Sequence, residues 1–182
     1  MQTRIGLLRV LSPVDCCPWG TVAGRSARHR AAAKPLYTTE ERRRRDASPW
    51  TLVQGVLAPL QFVVFLVSLT LVLRYLVTGE GLGMAAGSIV AKTLVLYTIM
   101  VTGAIWEKEV FGQYLLAPAF FWEDVFSFLV IGLHTLYIAM LGAGWGDART
   151  QMIVALLAYA AYVINAAQFL LKLRAARLET AR

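Results

Sequence analysis

Two pairs of acidic residues border a short connecting segment that is rich in aromatic side chains. Glu107 and Glu109 stand at its start, and Glu123 and Asp124 stand near its end. The segment separates two long apolar runs, so these carboxylates are expected at a membrane surface beside large, flat side chains. Carboxyl groups in such surroundings suit proton transfer to or from a flat, lipophilic molecule.

Four apolar runs make up most of the chain and must position these acids. The chain has 182 residues and is 58% hydrophobic, and each run approaches the ~20 residues that cross a bilayer as a helix. Because lipid offers the backbone no hydrogen-bond partner, continuous apolar runs predict helices. The sequence therefore predicts an all-α, polytopic membrane protein, a bundle of four transmembrane helices. The predicted spans are about 49–77, 84–106, 120–142 and 149–175.

The remaining segments differ from the spans in composition. Residues 1–36 predict a disordered basic extension, which a start site assigned too far upstream would also explain. Residues 37–179 form the predicted membrane domain, and residues 180–182 form a tail. Ser48 and Pro49 predict the start of the first span, because Ser is a favoured N-cap and Pro a favoured first helical residue.

The formal charge of +7 is concentrated near the chain ends. Residues 1–49 hold ten Lys or Arg against four Asp or Glu, and the C-terminal tail is basic again. Such charge is compatible with nucleic acid, but beside a first span it more often holds that side in the cytoplasm. We therefore expect no nucleic-acid partner and, with an even number of spans, both termini in the cytoplasm. Cys16 and Cys17 are adjacent and predict neither a disulfide nor a metal site.

Two smaller expectations concern residues that interrupt the apolar pattern. Gly112 and Pro118 predict that the connecting segment contains a short surface helix and a turn. Lys92 is the single charge in the second run, and we expect its long side chain to snorkel to the outer surface.

Polar side chains within the spans converge on the cytoplasmic half of the bilayer. Gln61 lies in the first span, Asn165 and Gln168 lie in the fourth, and Trp106 ends the second. Polar groups in membrane helices usually face the bundle interior, so the set predicts a cavity open to the cytoplasmic surface. Taken singly, each Gln or Asn is equally well explained as an interhelical hydrogen bonder, and His134 near mid-membrane is equally well explained as a structural hydrogen bonder.

The chemistry available to these residues is limited to acid–base catalysis. The sequence contains no nucleotide-binding loop, no dinucleotide fingerprint and no paired histidines for zinc or di-iron. Carboxylates assisted by His134 remain, and a neutral imidazole can also bind a metal that the substrate carries, such as the magnesium of a chlorin. Residue types and spacing alone do not identify the substrate or the reaction.

Three long stretches closely resemble the 3-vinyl bacteriochlorophyllide hydratase family of bacteriochlorophyll biosynthesis. The resemblance covers about residues 37–179. It implies a lyase that adds water to the 3-vinyl group of chlorophyllide a, or of 3-vinyl bacteriochlorophyllide, to give the 3-(1-hydroxyethyl) derivative. It implies no cofactor, because the substrate carries its own magnesium. The stretches are RRRRDASPWTLVQGVLAPLQFVVFLVSL (42–69), KTLVLYTIMVTGAIWEKEVFGQYLLAPAFFWEDVFSFLV (92–130) and YVINAAQFLLKLRAARLE (162–179).

With that reaction in view, three of the acids can be given roles. Glu123 or Asp124 is the first choice for the group that protonates the vinyl, and Glu107 is the second choice or the base that orients water. His134 is the candidate for axial contact with the substrate magnesium. The other predicted substrate-binding residues are Trp106, Trp122, Phe121, Asn165, Gln168, Gln61 and Lys108. The cations that can attract the substrate propionate are Lys92, Lys108, Lys172 and Arg174, with Lys108 and Lys172 the better placed.

Other readings of the same residues remain open. A non-enzymatic (bacterio)chlorophyll-binding or photosystem assembly protein would use the same aromatics and His134, and a membrane anchor for a soluble enzyme would show no activity alone. The expected location is the bacterial inner membrane, or its intracytoplasmic photosynthetic extension, as a multi-pass protein. The expected partners are the chlorophyllide or bacteriochlorophyllide substrate, membrane lipid and other enzymes of bacteriochlorophyll synthesis.

Overall fold

Helices account for nearly all of the chain that the structure describes. The computed structural model describes residues 36–180, with side chains up to Arg174, so most of the predicted extension, Cys16 and Cys17 lie outside the described residues. Residues 36–180 contain helices and no strand, which confirms the all-α prediction. The helices are α1 (Thr39–Ala47), α2 (Pro49–Thr78), α3 (Leu82–Phe111), α4 (Phe121–Ala143) and α5 (Ala148–Thr180).

Four of these helices, α2 to α5, are long and apolar enough to cross a membrane. They carry many large apolar side chains on their outer surfaces. Such side chains would be costly in water but are well solvated by lipid tails, so the chain has the character of a multi-pass membrane protein. Strongly exposed examples are Val77, Leu52, Leu170, Leu171, Val101 and Leu94.

The start of α2 follows the local sequence signals. Ser48 is the N-cap, its hydroxyl oxygen accepts a hydrogen bond from the Trp50 amide at 3.3 Å, and Pro49 is the first helical residue. The Ser48 hydroxyl also donates to Glu109 Oε2 at 2.5 Å, which ties the start of α2 to the end of α3. The predicted start of the first span is confirmed.

The connecting segment differs from its prediction. No short helix lies between α3 and α4: α3 continues to Phe111, and Gly112 ends it in a left-handed conformation with φ 84°. Leu116 is also left-handed, with φ 60°, and Pro118 follows it. Neither a left-handed residue nor an internal proline suits a continued helix, so residues 112–120 form an irregular turn. Glu107 consequently lies on a helix and not in a loop.

The four long helices form two antiparallel hairpins. α2 packs against α3, and α4 packs against α5; the hairpins meet along α3 with α4 and α2 with α5. The start of α2, the 112–120 turn and the last turns of α5 therefore lie together, and we call this the connector end. The core towards the opposite end contains one hydroxyl network, in which Ser68 lies 2.5 Å from the Tyr159 hydroxyl and 2.7 Å from the Ser88 hydroxyl.

Candidate active site at the connector end

Two buried carboxyl groups from different hairpins meet under the 112–120 turn. Glu107 on the last turns of α3 is 5% exposed, and Asp124 on the first turn of α4 is 3% exposed. The Leu116 amide donates to Asp124 Oδ2 at 2.6 Å, and the Ala117 amide donates to Glu107 Oε2 at 3.4 Å. The two carboxyls also interact electrostatically with each other. Because one negative charge disfavours a second beside it, the pair can hold a proton and transfer it.

The turn over this pair has a strained backbone. Leu116 adopts φ 60°, a conformation that costs a residue other than glycine ~1–3 kcal/mol. The short hydrogen bond from its amide to Asp124 is the contact that offsets this cost. Strain of this kind is usually found where the surrounding structure fixes a functional geometry, and here it fixes two amide donors above the acid pair.

Glu123, adjacent to Asp124 in sequence, has a different environment. Lys172 on α5 contacts Glu123 Oε2 at 2.6 Å and also donates to the Ala119 carbonyl. The same ammonium lies 4.9 Å from the centre of the Phe120 ring. This ion pair links the two helices, so Glu123 is suited to joining α4 to α5.

Aromatic rings surround the site. Phe120 lies at the centre of this aromatic cluster, with ring centroids 5.7 Å from Trp106, 5.8 Å from Phe111 and 5.9 Å from Phe169. Tyr37 closes the cluster from the segment before α1, and burial raises the pKa of its phenol. The Trp106 indole donates to Thr51 at 2.9 Å, which fixes the ring orientation. The cluster gives the acid pair a flat, apolar wall.

Some predicted binding residues lie apart from this cluster. Phe121 and Trp122 are 43% and 66% exposed and contact each other on the outside of α4. Lys108 is exposed and donates to the Gly112 carbonyl at 2.9 Å. Phe169, which was not among the predicted binding residues, packs in the cluster, whereas Trp122 does not. The spacing of Phe169, four from Asn165 and three from Lys172, which places all three on one helix face, is the signal that identifies it.

Side-chain amides line the bundle interior, on the side of the acid pair that faces away from the 112–120 turn. Asn165 donates to Ser127 at 2.8 Å, which joins α5 to α4. Gln61 is buried on α2, and its Oε1 has no partner among the described residues; the same is true of Gln168 Oε1. These three predicted residues therefore face the interior, and unpaired amide oxygens remain available there.

His134 lies deeper in the bundle and is fully buried. Its Nδ1 is 2.8 Å from the Val130 carbonyl oxygen, and since a carbonyl can only accept, Nδ1 carries the hydrogen. Nε2 then presents its lone pair and has no partner among the described residues. Within the described chain no three His, Cys, Asp or Glu side chains are grouped to hold a metal ion, so this lone nitrogen is suited to a metal that arrives with a ligand.

Lys92 does not reach the surface, which makes the snorkelling prediction wrong. Its side chain is fully buried, and Nζ lies 3.8 Å from the centre of the Tyr162 ring. The reason is its position on the helix: Lys92 shares a face of α3 with Ala85, Ile89 and Leu96, all of which are buried. To reach lipid headgroups the side chain would have to pass around the helix.

Comparison with known proteins places the chain in one family. The family model for 2-vinyl bacteriochlorophyllide hydratase matches residues 37–175. The 2-vinyl bacteriochlorophyllide hydratase of Rhodobacter capsulatus is 70% identical over 148 residues, which cover 81% of this chain and 86% of that protein. The protein of the same name from Cereibacter sphaeroides is 67% identical over 149 residues, 82% of this chain and 92% of that protein. No solved structure matches the chain.

Proposed function

The chain belongs to the 2-vinyl bacteriochlorophyllide hydratase family of bacteriochlorophyll biosynthesis, and we propose that Glu107 and Asp124 carry out its chemistry at the connector end. As a hydratase it is a lyase that adds water to the vinyl substituent. The substituent numbered 2 in the family name is the one numbered 3 above, in a second numbering of the same macrocycle. Chlorophyllide a or 3-vinyl bacteriochlorophyllide is the proposed substrate.

Hydration of this vinyl group needs one proton donor and one proton acceptor. A proton bonds to the terminal vinyl carbon, and the cation left on the internal carbon is stabilised by conjugation with the macrocycle. Water attacks that internal carbon and loses a proton, which leaves the 1-hydroxyethyl group. The protein must supply the acid, deprotonate the water and keep other water away from the cation.

The acid pair is the observation that carries the proposal. One carboxyl of the pair holds a proton and can give it to the vinyl, while its ionised partner can take the proton from the attacking water. A proton transfer within the pair then restores the starting state without exchange with bulk solvent. Glu123 is less suited to donate, because its Oε2 already contacts the Lys172 ammonium at 2.6 Å.

His134 fits the magnesium of the substrate. Magnesium in a chlorin can take an axial ligand, and Nε2 of His134 is a buried lone pair without a partner among the described residues. The magnesium belongs to the substrate, and we propose no cofactor of the protein's own. His134 would then fix the height of the macrocycle in the bundle.

This role gives a specific prediction for a His134→Asn variant. Asparagine can still donate to the Val130 carbonyl but has no atom in place of Nε2. We expect the affinity for magnesium chlorophyllide to fall about tenfold, the loss of one ligand contact worth ~1.4 kcal/mol, and the affinity for the magnesium-free chlorin to stay unchanged. Absorbance titration of membranes with both pigments measures this. Equal affinities of the variant and the wild type for the magnesium pigment would contradict axial contact.

Charge supports a cytoplasmic position for the connector end. Arg42 to Arg45 precede α2, and Lys172 and Arg174 lie near the end of α5. The opposite end carries Arg74 and Arg149 among its few charges. By the positive-inside rule both termini would face the cytoplasm of a bacterial inner membrane, and the substrate would enter from that side. Other enzymes of the same pathway are candidate partners at this surface.

The direct test uses the full chain in membranes supplied with chlorophyllide a. We expect the red absorption band to shift to the blue as vinyl conjugation is lost, and the product mass to rise by one water. In ¹⁸O-labelled water the product should carry the label on its new hydroxyl group. Stoichiometric pigment binding without a product would instead identify a non-enzymatic pigment-binding or assembly protein.

A further inference from the structure

Buried polar atoms without partners line the seam between the two hairpins. Both hairpins contribute to this set, which runs from near the connector end to the middle of the bundle. A buried polar group without a partner costs ~1–3 kcal/mol, so such atoms usually await a ligand or water. Among the described residues the set comprises Gln61 Oε1, Lys92 Nζ, His134 Nε2, Tyr137 OH, Asn165 Oδ1 and Gln168 Oε1.

Among these buried polar groups, Lys92 is the one whose chemistry indicates a particular kind of ligand. It is a fully buried amine in a membrane helix, and in the described part of the chain it makes neither a hydrogen bond nor an ion pair. The Tyr162 ring at 3.8 Å stabilises an ammonium in part. An ammonium at this depth is otherwise costly, and intramembrane charges of this kind typically mark a binding site. The described residues place no carboxylate beside this amine, so a ligand would have to supply the anion.

We propose that Lys92 binds the carboxylate of the substrate and so selects the free chlorin acid over its esters. This rests on the proposed function, because it takes the vinyl chlorin as the ligand. An anion reaches the middle of a bilayer only when a large apolar body carries it there. A chlorin with a free propionate is such a molecule, and esterification removes the charge while it leaves the rest of the ring unchanged.

In the proposed pose one substrate lies along the seam. Glu107 follows Lys92 by fifteen residues, or ~22 Å along α3, and the substrate together with the two side chains would span this distance. His134 lies between these levels, ten residues or ~15 Å beyond Asp124 on α4. A macrocycle in the seam can therefore have its carboxylate at Lys92, its magnesium near His134 and its vinyl group towards the acid pair.

Lys108 and Lys172, the better-placed cations by sequence, already have partners. Lys172 binds Glu123 and the Ala119 carbonyl. Lys108 donates to the Gly112 carbonyl and lies 5.2 Å from the centre of the exposed Tyr114 ring. This reverses the ranking drawn from the sequence, in which Lys108 and Lys172 were the better candidates.

The experiment compares the free acid with its methyl ester in one membrane preparation. Dissociation constants for chlorophyllide and for methyl chlorophyllide are measured by absorbance titration on wild type, Lys92→Met, Lys92→Arg and Arg149→Gln. The ester-to-acid ratio of dissociation constants should fall about tenfold or more in Lys92→Met, the loss expected for one buried charge pair. It should stay within about threefold of wild type in Lys92→Arg and in the exposed control Arg149→Gln. Because each ratio is taken in the same membranes, differences in pigment partitioning cancel.

Two further measurements distinguish loss of folding, and loss of the proposed hydratase activity, from failure of Lys92 to bind the carboxylate. Lys92→Met should be at least as stable to heating as wild type, because the buried amine has no hydrogen bond or ion pair among the described residues to lose, and methionine can still pack against the Tyr162 ring. An unchanged ester-to-acid ratio in a folded Lys92→Met variant overturns the proposal, and so does equal loss of both ligands. Product formation by the wild type tests the hydratase chemistry separately. Selectivity for the free acid without product would disprove the catalytic proposal but would still support binding of the carboxylate by Lys92.

Discussion

Replacing Glu107 by Gln is expected to lower kcat for vinyl hydration by ~10²–10⁴-fold, the usual contribution of one acid–base group. Glutamine has the same size and can still accept the hydrogen bond from the Ala117 amide, so the 112–120 turn keeps its geometry. It cannot release a proton to the vinyl or take one from water. KM should change little, because the aromatic cluster and the seam are untouched. Initial rates in membranes, followed at the red absorption band, measure both constants.

A matched control stands two residues away on the same helix. Glu109→Gln removes the same charge at an exposed position that contacts Ser48, and kcat should stay within about threefold of wild type. Asp124→Asn should lose as much activity as Glu107→Gln, and the double variant should be little worse than either, because the two groups act as a unit. If Glu107→Gln keeps full turnover and Glu123→Gln loses it, Glu123 is the acid and the pair is structural.

The second large effect concerns stability and the Lys172–Glu123 ion pair. The Lys172→Met variant should lower the free energy of unfolding by ~3 kcal/mol, because it leaves a buried carboxylate without its counter-ion. The Glu123 side chain is only 9% exposed, whereas that of Lys172 is 25% exposed, so water can compensate Glu123 only in part. The double variant Glu123→Gln, Lys172→Met should recover more than half of the loss. Unfolding by a denaturing detergent, followed by circular dichroism, gives these differences.

The same variants also separate structure from catalysis. If the pair only joins α4 to α5, the folded fraction of the double variant should hydrate the substrate at a rate within about tenfold of wild type. Equal instability of the single and double variants would contradict a coupled pair. Loss of turnover by the folded double variant would return Glu123 to its first place among the candidate acids.

Local features of the fold could be predicted from the sequence because their causes are local. Apolar run length set against bilayer thickness gives four helices, and the Ser48–Pro49 pair gives the start of α2. The family could also be predicted, since long stretches carry the resemblance. Local reasoning erred at the 112–120 turn, because the left-handed conformation of Leu116 is stabilised by a contact from Asp124 on α4.

The sequence by itself thus determined the helices, the family with its reaction, and the acids that lie near one end of the bundle. Only the tertiary structure decided how those groups are paired: Glu107 with Asp124, Glu123 with Lys172, and Lys92 with no anion among the described residues. These pairings could not be predicted from the sequence, because they depend on how each helix is rotated about its axis. Lipid is as apolar as the bundle interior, so a continuous apolar run does not mark its inward face. That face is fixed by long-range packing, which pairs residues such as Glu123 and Lys172 from different helices.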